Sequence, residues 1–342
     1  MKPSLPLLAR AGALLFAASL VASAADQPAH DIYAAVAMTK AQKNSPTPTD
    51  SGLYVRRAGS TEWSLYGPRV LGITSIADQP GTNGQVLLLS CADGVLRSTN
   101  GGASWRKTTG WDVADVRCID FAPSHPATAY AATCWGPLRS TDGGATWELA
   151  QNGLPKLYCQ TLSPDPANAQ RVLLGTEAGI YVSNDGAKSW TPTRGPAVCI
   201  LRIARGVKNP DTLIAGTLGH GVLISHDNGA SWSPTDAGSA TANLYAAAID
   251  PADTNRLAVG GWGVGLRVSA DGGKTWTDRT AGLPAKNVFV VAFDPEVKGR
   301  LWASTFEEGT RYSDDLGATW QDGGLYGAYA FDFVFLPAAR TP

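Results

Sequence analysis

The most regular chemical feature of the sequence is a carboxylate or amide two residues after a serine and five before a tryptophan. Six segments carry this Ser-x-Asp/Asn-x-Gly/Ala-x-Ser/Thr-Trp pattern, with tryptophans 42 to 44 residues apart. We call these segments the repeat turns. A degenerate seventh copy at 56–63 keeps Trp63 but lacks the aspartate. The six repeat turns lie at 98–105, 140–147, 183–190, 225–232, 269–276 and 313–320.

Carboxylates in such a pattern are candidates for general acids or calcium ligands, but their glycine-rich surroundings indicate a structural role. Asp and Asn side chains accept hydrogen bonds from nearby backbone N–H groups, and glycine permits positive φ angles. Tryptophan packs a large ring between sheets and donates its indole N–H. We therefore predict a structural role for Asp142, Asp185, Asp227, Asp271, Asp315, Trp105, Trp147, Trp190, Trp232, Trp276 and Trp320. Ala187 replaces the usual glycine, so its turn is expected to be strained.

The remaining acidic residues offer no clear catalytic pair. A hydrolase with two carboxylates holds them about 5–10 Å apart across its substrate. Glu307 and Glu308 are adjacent, so their side chains are expected to diverge. Asp93 and Glu177, which belong to different repeats, stay open as a pair. The sequence favours no catalytic residue and no cofactor, although it leaves glycoside hydrolysis open.

Five cysteines, at 91, 118, 134, 159 and 199, are expected in one sector of the fold. A disulfide between Cys118 and Cys134 is predicted within one repeat, whereas Cys91–Cys134 or Cys118–Cys159 would join neighbouring repeats. The odd count leaves at least one thiol unpaired or paired with another molecule. Since the chain has no Cys-x-x-Cys and few histidines, we predict no metal site.

These motifs require short strands to position them. Each repeat turn follows an apolar run, a turn, a β run, a glycine turn and another β run, and the next strand begins at the tryptophan. This order predicts an all-β, seven-bladed propeller of four-stranded antiparallel blades. Residues 32–38, 52–57 and 62–67 give the first blade only three strands. The C-terminal run at 329–337 is predicted to complete that blade and close the ring.

A propeller of this strand order has two rims. The repeat turns occupy one, which we call the motif rim. The other, which we call the channel mouth, carries the loops between second and third strands and the loops entering the first strands. Aromatic, acidic and amide side chains there suit peptide or sugar recognition. The candidate binding residues at the channel mouth are Trp111, Trp135, Tyr158, Glu177, His220, Tyr245, Trp262 and Glu307.

The N-terminal segment has the features of an export signal. Lys2 and Arg10 precede an apolar run at 11–22, and Ala22-Ser23-Ala24 matches a small-x-small cleavage site. We predict a signal peptide at 1–24, with cleavage after Ala24, and a single propeller at 25–342. The mature chain is expected in the periplasm or outside the cell, without membrane insertion and as a monomer. A formal net charge of -1 does not favour nucleic-acid binding.

The repeat turns resemble the Asp-box, or BNR, repeat, and the resemblance covers nearly all of residues 25–342. Asp-box propellers include sialidases, xyloglucan-degrading glycoside hydrolases, sortilin-type receptors and photosystem II stability/assembly factors. Sialidases have six blades and an arginine triad, which is not found here, and the xyloglucanases have two propellers. The assembly factors have one seven-bladed propeller behind an export signal. The resemblance implies the architecture and a scaffold-type role, with no functional residue carried over.

Three functions follow from this reading. The first is a non-catalytic scaffold that presents the channel mouth to a protein partner. The second is a glycan-active enzyme, such as a glycoside hydrolase or a sialidase-like protein, and the third is a carbohydrate-binding propeller.

Overall fold

The computed structural model describes residues 29–39, 49–70, 72–237 and 241–338. Within these ranges the chain forms 28 strands in seven four-stranded antiparallel sheets and no helix. The predicted all-β, seven-bladed propeller is thereby confirmed. A helix long and apolar enough to cross a bilayer is likewise not found in this part of the chain. The predicted export signal at 1–24 lies outside the described residues.

Blade 1 joins the two ends of the chain, as predicted. Its strand order is β28-β1-β2-β3. The antiparallel pairing of β1 with β28 runs from His30 opposite Pro337 to Met38 opposite Ala328, so the C-terminal strand closes the ring. The strands are β1 (His30–Met38), β2 (Gly52–Arg56), β3 (Trp63–Leu65) and β28 (Ala328–Pro337).

The other six blades follow chain order, and the first strand of each lines the central channel. Blades 2 to 4 contain β4 (Ser75–Asp78), β5 (Leu87–Cys91), β6 (Gly94–Ser98), β7 (Arg106–Lys107), β8 (Val116–Phe121), β9 (Ala129–Thr133), β10 (Leu138–Ser140), β11 (Glu148–Leu149), β12 (Cys159–Pro164), β13 (Val172–Thr176), β14 (Gly179–Ser183) and β15 (Thr191–Pro192). Blades 5 to 7 contain β16 (Ile200–Arg205), β17 (Leu213–Thr217), β18 (Val222–Ser225), β19 (Ser233–Thr235), β20 (Ala246–Asp250), β21 (Asp253–Gly261), β22 (Gly265–Ser269), β23 (Thr277–Asp278), β24 (Val288–Phe293), β25 (Leu301–Thr305), β26 (Gly309–Ser313) and β27 (Gln321–Gly324).

The core lies between neighbouring blades rather than at one centre. The second strands of blades 2 to 5 and 7 are buried along their whole length, because each sheet packs against a neighbour on both faces. In one cluster, Tyr130 of blade 3 packs with Leu162, Leu174 and Trp190 of blade 4. Each blade therefore needs its neighbours to bury its apolar side chains.

The repeat turns are local hydrogen-bonded units. In the second turn, Asp142 accepts bonds from the Ser140 hydroxyl (2.8 Å) and from the Thr146 backbone N–H (2.9 Å) and hydroxyl (2.6 Å). The same bonds recur in the turns of Asp185, Asp227, Asp271 and Asp315. Ala187 adopts a left-handed φ of 65°, the conformation that glycine adopts in the other turns.

The tryptophan side chains link the repeat turns to the blades through hydrogen bonds of their indole N–H groups. The indole N–H groups of Trp147, Trp190 and Trp320 donate to the preceding blade, at Thr108 Oγ1 (3.1 Å), Ala150 O (2.7 Å) and Arg279 O (3.0 Å). The indoles of Trp105, Trp232 and Trp276 instead donate to a glycine carbonyl of their own turn. Both kinds of bond fix the ring against the neighbouring sheet.

Candidate binding site at the channel mouth

Each blade places one side chain around the channel mouth, at the start of its innermost strand. We call this set the mouth ring. In five blades the residue is an extra one, inserted where the innermost strand shifts register against the second strand. Such a β-bulge re-aims the side chain that it inserts. From blade 1 to blade 7 the mouth ring is Phe331, Thr74, Arg117, Gln160, Leu201, Tyr245 and Phe289.

The mouth ring lines a pocket of 440 Å³, which we call the mouth pocket. Tyr158, Cys199, Arg202, Leu218 and Trp262 complete its wall. Of the lining residues, none is a carboxylate. This set of aromatic, amide, hydroxyl and guanidinium groups suits recognition of a ligand better than paired acid–base chemistry.

One half of the mouth pocket is aromatic. Phe289 lies at the centre of a cluster of rings, with centroid distances of 5.6 Å to Tyr245, 4.6 Å to Tyr329 and 6.1 Å to Phe331. Trp262 packs at 5.4 Å on Phe306 and at 6.0 Å on Phe289, and nearly half of its surface stays exposed. We call the set the aromatic wall: Tyr245, Trp262, Phe289, Phe306, Tyr329 and Phe331.

The other half of the mouth pocket is polar and held by hydrogen bonds. Arg117 donates to Asp115 Oδ2 (3.0 Å) and to Cys134 Sγ (3.3 Å), which fixes its guanidinium. Gln160 Nε2 donates to Tyr158 Oη (2.7 Å). Burial raises the pKa of Tyr158 above its usual value. These groups offer oriented donors opposite the aromatic wall.

An ion pair lies beneath the mouth pocket. Arg202 of β16 donates to Asp332 Oδ1 of β28 at 2.9 Å, and Asp332 Oδ2 accepts from Ile76 N at 3.3 Å. Arg202 also lines a second cavity of 620 Å³, which reaches Val207 and other turn residues of the motif rim. Asp120 projects into that cavity, and desolvation by the surrounding walls raises its pKa to about 7.

The structure brings some of the predicted binding residues together and leaves others apart. Tyr158, Tyr245 and Trp262 line the mouth pocket. Glu177 and Glu307 lie near the pocket without lining it. Burial is the main cause of the raised pKa values of Cys199 and Tyr329, and the charge of Glu177 raises the first further while that of Glu307 raises the second.

Trp111, Trp135 and His220 are exposed and do not line the mouth pocket. Of the two acids left open as a catalytic pair, Asp93 is 93% exposed and lies 3.9 Å from Lys107 Nζ.

Sequence reasoning missed Phe289, Tyr329 and Phe331. A signal for the mouth ring was present, because its members recur at intervals of 41 to 44 residues, in step with the repeat. Their residue types differ from blade to blade, so composition gave no hint of a shared position. Aligning the copies on their tryptophans would have found the set.

The predicted disulfide between Cys118 and Cys134 is not formed. All five cysteines are free thiols. Cys118 lies opposite Ala132, whereas the backbone N–H of Cys134 bonds to Asp115 O, so the two cysteines are not cross-strand neighbours. The Sγ atom of Cys134 instead accepts from Arg117. In the described part of the chain, no group of three or more His, Cys, Asp or Glu could hold a metal ion.

Comparison with known proteins gives the fold and no family. No protein-family model matches the sequence, and no curated protein matches it. Among solved structures, the chain resembles a GH74 enzyme from Niastella koreensis (TM-score 0.64, 19% identity), covering 80% of this chain but only 51% of the enzyme. It also resembles YCF48 bound to a D1 peptide (TM-score 0.58, 20% identity, 75% of this chain and 83% of that one). YCF48 from Cyanidioschyzon merolae is similar too (TM-score 0.55, 19% identity, 78% and 94%). At these identities the similarity establishes a shared propeller fold.

Proposed function

We propose that the chain is an exported, non-catalytic binding scaffold whose mouth pocket receives a segment of a protein partner. The observation that carries this proposal is the aromatic wall facing Arg117 and Gln160 across one pocket. Aromatic residues and arginine dominate the energetic centres of protein interfaces. The rings supply apolar area, and the fixed polar groups on the other half orient what binds.

Three further observations support this proposal. A propeller of the same fold is known with a peptide bound, and it is similar to this chain over most of its length. The Asp-box resemblance of the repeat turns and the signal-like segment at 1–24 agree with an exported propeller scaffold. The lining of the mouth pocket supplies contacts for a ligand but no pair of acids to cleave one.

A glycan is the second candidate ligand, since the GH74 enzyme shares the fold and aromatic faces also stack on sugar rings. This chain spans about half of that enzyme's length, at 51%. In this alternative the aromatic wall would bind the glycan, and hydrolysis would require carboxylates outside the mouth pocket.

Site-specific photo-crosslinking in the native envelope tests the proposal. A photoreactive phenylalanine analogue at position 262 should trap a discrete protein, because Trp262 is exposed at the edge of the aromatic wall. The same analogue at position 207, which is 72% exposed on the motif rim, is the matched control and should trap nothing specific. Equal products at both positions would contradict a protein partner at the mouth pocket. No product at 262 together with turnover of a polysaccharide by the purified chain would replace the scaffold by the glycan alternative.

A further inference from the structure

A small pocket of 220 Å³ lies on the motif rim, where blade 1 meets blade 7. Three arginines, Arg56, Arg57 and Arg300, contribute to its wall, along with the rings of Trp302 and Tyr312. Its lining residues include no carboxylate. We call it the seam pocket. It lies on the rim opposite the mouth pocket and shares no lining residue with it.

The degenerate turn at 56–63 creates the seam pocket. Where the regular turns have serine this copy has Arg56, and where they have aspartate it has Ala58. The missing carboxylate is supplied by Asp31 of β1, whose Oδ1 accepts from Ala58 N at 2.9 Å and whose Oδ2 pairs with Arg57. Because Asp31 holds the turn from the neighbouring strand, the serine position is free for a long cationic side chain.

Arg56 is the one arginine of the seam pocket without a carboxylate partner among the described residues. Asp31 pairs with Arg57, and Asp314 Oδ1 lies 2.6 Å from Arg300 Nε. Arg56 only donates Nε to the Ser60 carbonyl, at 2.7 Å. Its guanidinium lies over the rings of Trp302 (5.0 Å) and Tyr312 (5.7 Å), which fixes its plane.

The surroundings of Arg56 favour a bound anion. Burial lowers the pKa of Arg56, and the charge of Arg300 lowers it further, although Tyr312 opposes this effect. A partly buried cation beside a second cation is electrostatically unfavourable until an anion compensates it. Trp302 is 1% exposed, and its Nε1 has no hydrogen-bond partner within the described structure.

We propose that the seam pocket binds a compact tetrahedral oxyanion, phosphate or sulfate, either free or as a monoester. A guanidinium presents a planar fork that bonds two oxygens of such an anion at once. Stacking on Trp302 holds that fork in place before binding. The hydroxyls of Ser60 and Thr61, which also line the seam pocket, can donate to the remaining oxygens.

Thermal unfolding with added anion tests the proposal. Sodium phosphate and sodium sulfate are each titrated against sodium chloride of equal ionic strength, so that general screening is cancelled. We expect a concentration-dependent rise in Tm specific to phosphate or sulfate, because a ligand that binds only the folded state stabilises it. Arg56→Gln should weaken the apparent affinity about tenfold or more, since it removes charge-assisted hydrogen bonds.

The matched control is Arg106→Gln, which removes one exposed arginine from β7 without altering a pocket. Its response to the anion should equal that of the wild type. If Arg56→Gln does not fold, Arg56→Lys replaces it, which keeps the charge but loses the fork and should also bind more weakly. No anion-specific rise in the wild type, or an undiminished rise in the Arg56 variant, overturns the proposal.

A sugar phosphate added in the same titration distinguishes the two sources of the anion. Tighter binding than inorganic phosphate would identify a monoester as the ligand, and equal or weaker binding would identify the free anion. Line broadening of the phosphate ³¹P resonance by wild-type protein provides a second readout that does not depend on unfolding.

Discussion

Arg202 Nη2 and Asp332 Oδ1 meet 2.9 Å apart across the channel, and Arg202 lines both the mouth pocket and the cavity below it. The pair connects the innermost strand of blade 5 with the closing strand of blade 1. It therefore braces the ring from within and separates the two cavities. Asp120 projects into the lower cavity close enough for its charge to act on Arg202.

Breaking this brace should destabilise the protein. Arg202→Met leaves Asp332, which is 5% exposed, without its cationic partner, and we expect a loss of about 2 kcal/mol or more in the free energy of unfolding. Arg311→Met is the control, since its partner Asp322 is 52% exposed and stays solvated when the cation is lost, so the change should cost less than about 1 kcal/mol. Urea denaturation of both variants at pH 7 checks the difference. Equal losses would show that the crossing pair is no brace.

Asp120 should make the stability of the fold depend on pH. Although its side chain is exposed to the lower cavity, desolvation by the cavity walls raises its folded pKa from 3.8 to about 7, with Asp332 adding to the rise and Arg202 opposing it. The folded state therefore holds a proton that the unfolded chain releases between these values, so stability falls as pH rises through this window. Asp120→Asn removes the ionisable group and with it the cost of holding a charge in the lower cavity. Its Tm should match the wild type near pH 4 and exceed it at pH 8, and a constant offset across that range would contradict the raised pKa.

His30 should have the opposite pH dependence at the ring closure. Its Nε2 lies 3.3 Å from Asp294 Oδ2 and its Nδ1 lies 3.1 Å from Glu296 Oε2. Burial alone would lower the pKa of His30, but the two carboxylates outweigh it, and the pKa is raised above 6.5. The stabilisation is complete below pH 6.5 and is lost as pH rises through the folded pKa.

The measurement is the Tm difference between the wild type and His30→Gln from pH 5 to pH 9. This difference should be largest at acidic pH and shrink as the medium becomes basic. His125→Gln, at an exposed turn residue, serves as the control and should show no such trend. A difference for His30→Gln that is flat with pH would mean that the imidazole only fills space.

The repeat turns should tolerate asparagine better than alanine. Asp142→Ala removes acceptors for Ser140 and Thr146 and should cost about 1 kcal/mol, because several hydrogen bonds are lost at an exposed site. Asp142→Asn should cost less, since Asn100 accepts from the Ser98 hydroxyl and from Ser104 N in the first turn. Chemical denaturation measures both free energies of unfolding, and identical values for wild type and Asp142→Ala would show that the motif does not hold the turn.

The sequence allowed the fold to be predicted because the interactions that define it are local and repeated. Asp142 bonds residues within four positions, so constant spacing alone identifies the turn. The mouth ring depends instead on where each innermost strand inserts an extra residue, and no residue type marks that bulge. The register of β8 against β9 also explains why the predicted disulfide is absent, since strand pairing places Cys134 next to Asp115 and Cys118 opposite Ala132. Site geometry at the channel mouth therefore required the strand pairing itself.

Two of the exposed tryptophans of the channel mouth allow a sharp test of the proposed binding site. Trp262 and Trp135 are both exposed, at 48% and 66%, but of these two only Trp262 lines the mouth pocket and belongs to the aromatic wall, where it packs on Phe306. Trp262→Ala should therefore weaken capture of the crosslinked partner about tenfold or more, as expected for a large aromatic side chain that a partner buries on binding. Trp135→Ala should leave capture unchanged, and both variants should keep the wild-type Tm within a few degrees because about half of the Trp262 side chain and most of the Trp135 side chain are exposed to solvent. Equal loss of capture in the two variants would contradict the mouth pocket as the binding site and would direct the search to the exposed loops around Trp135.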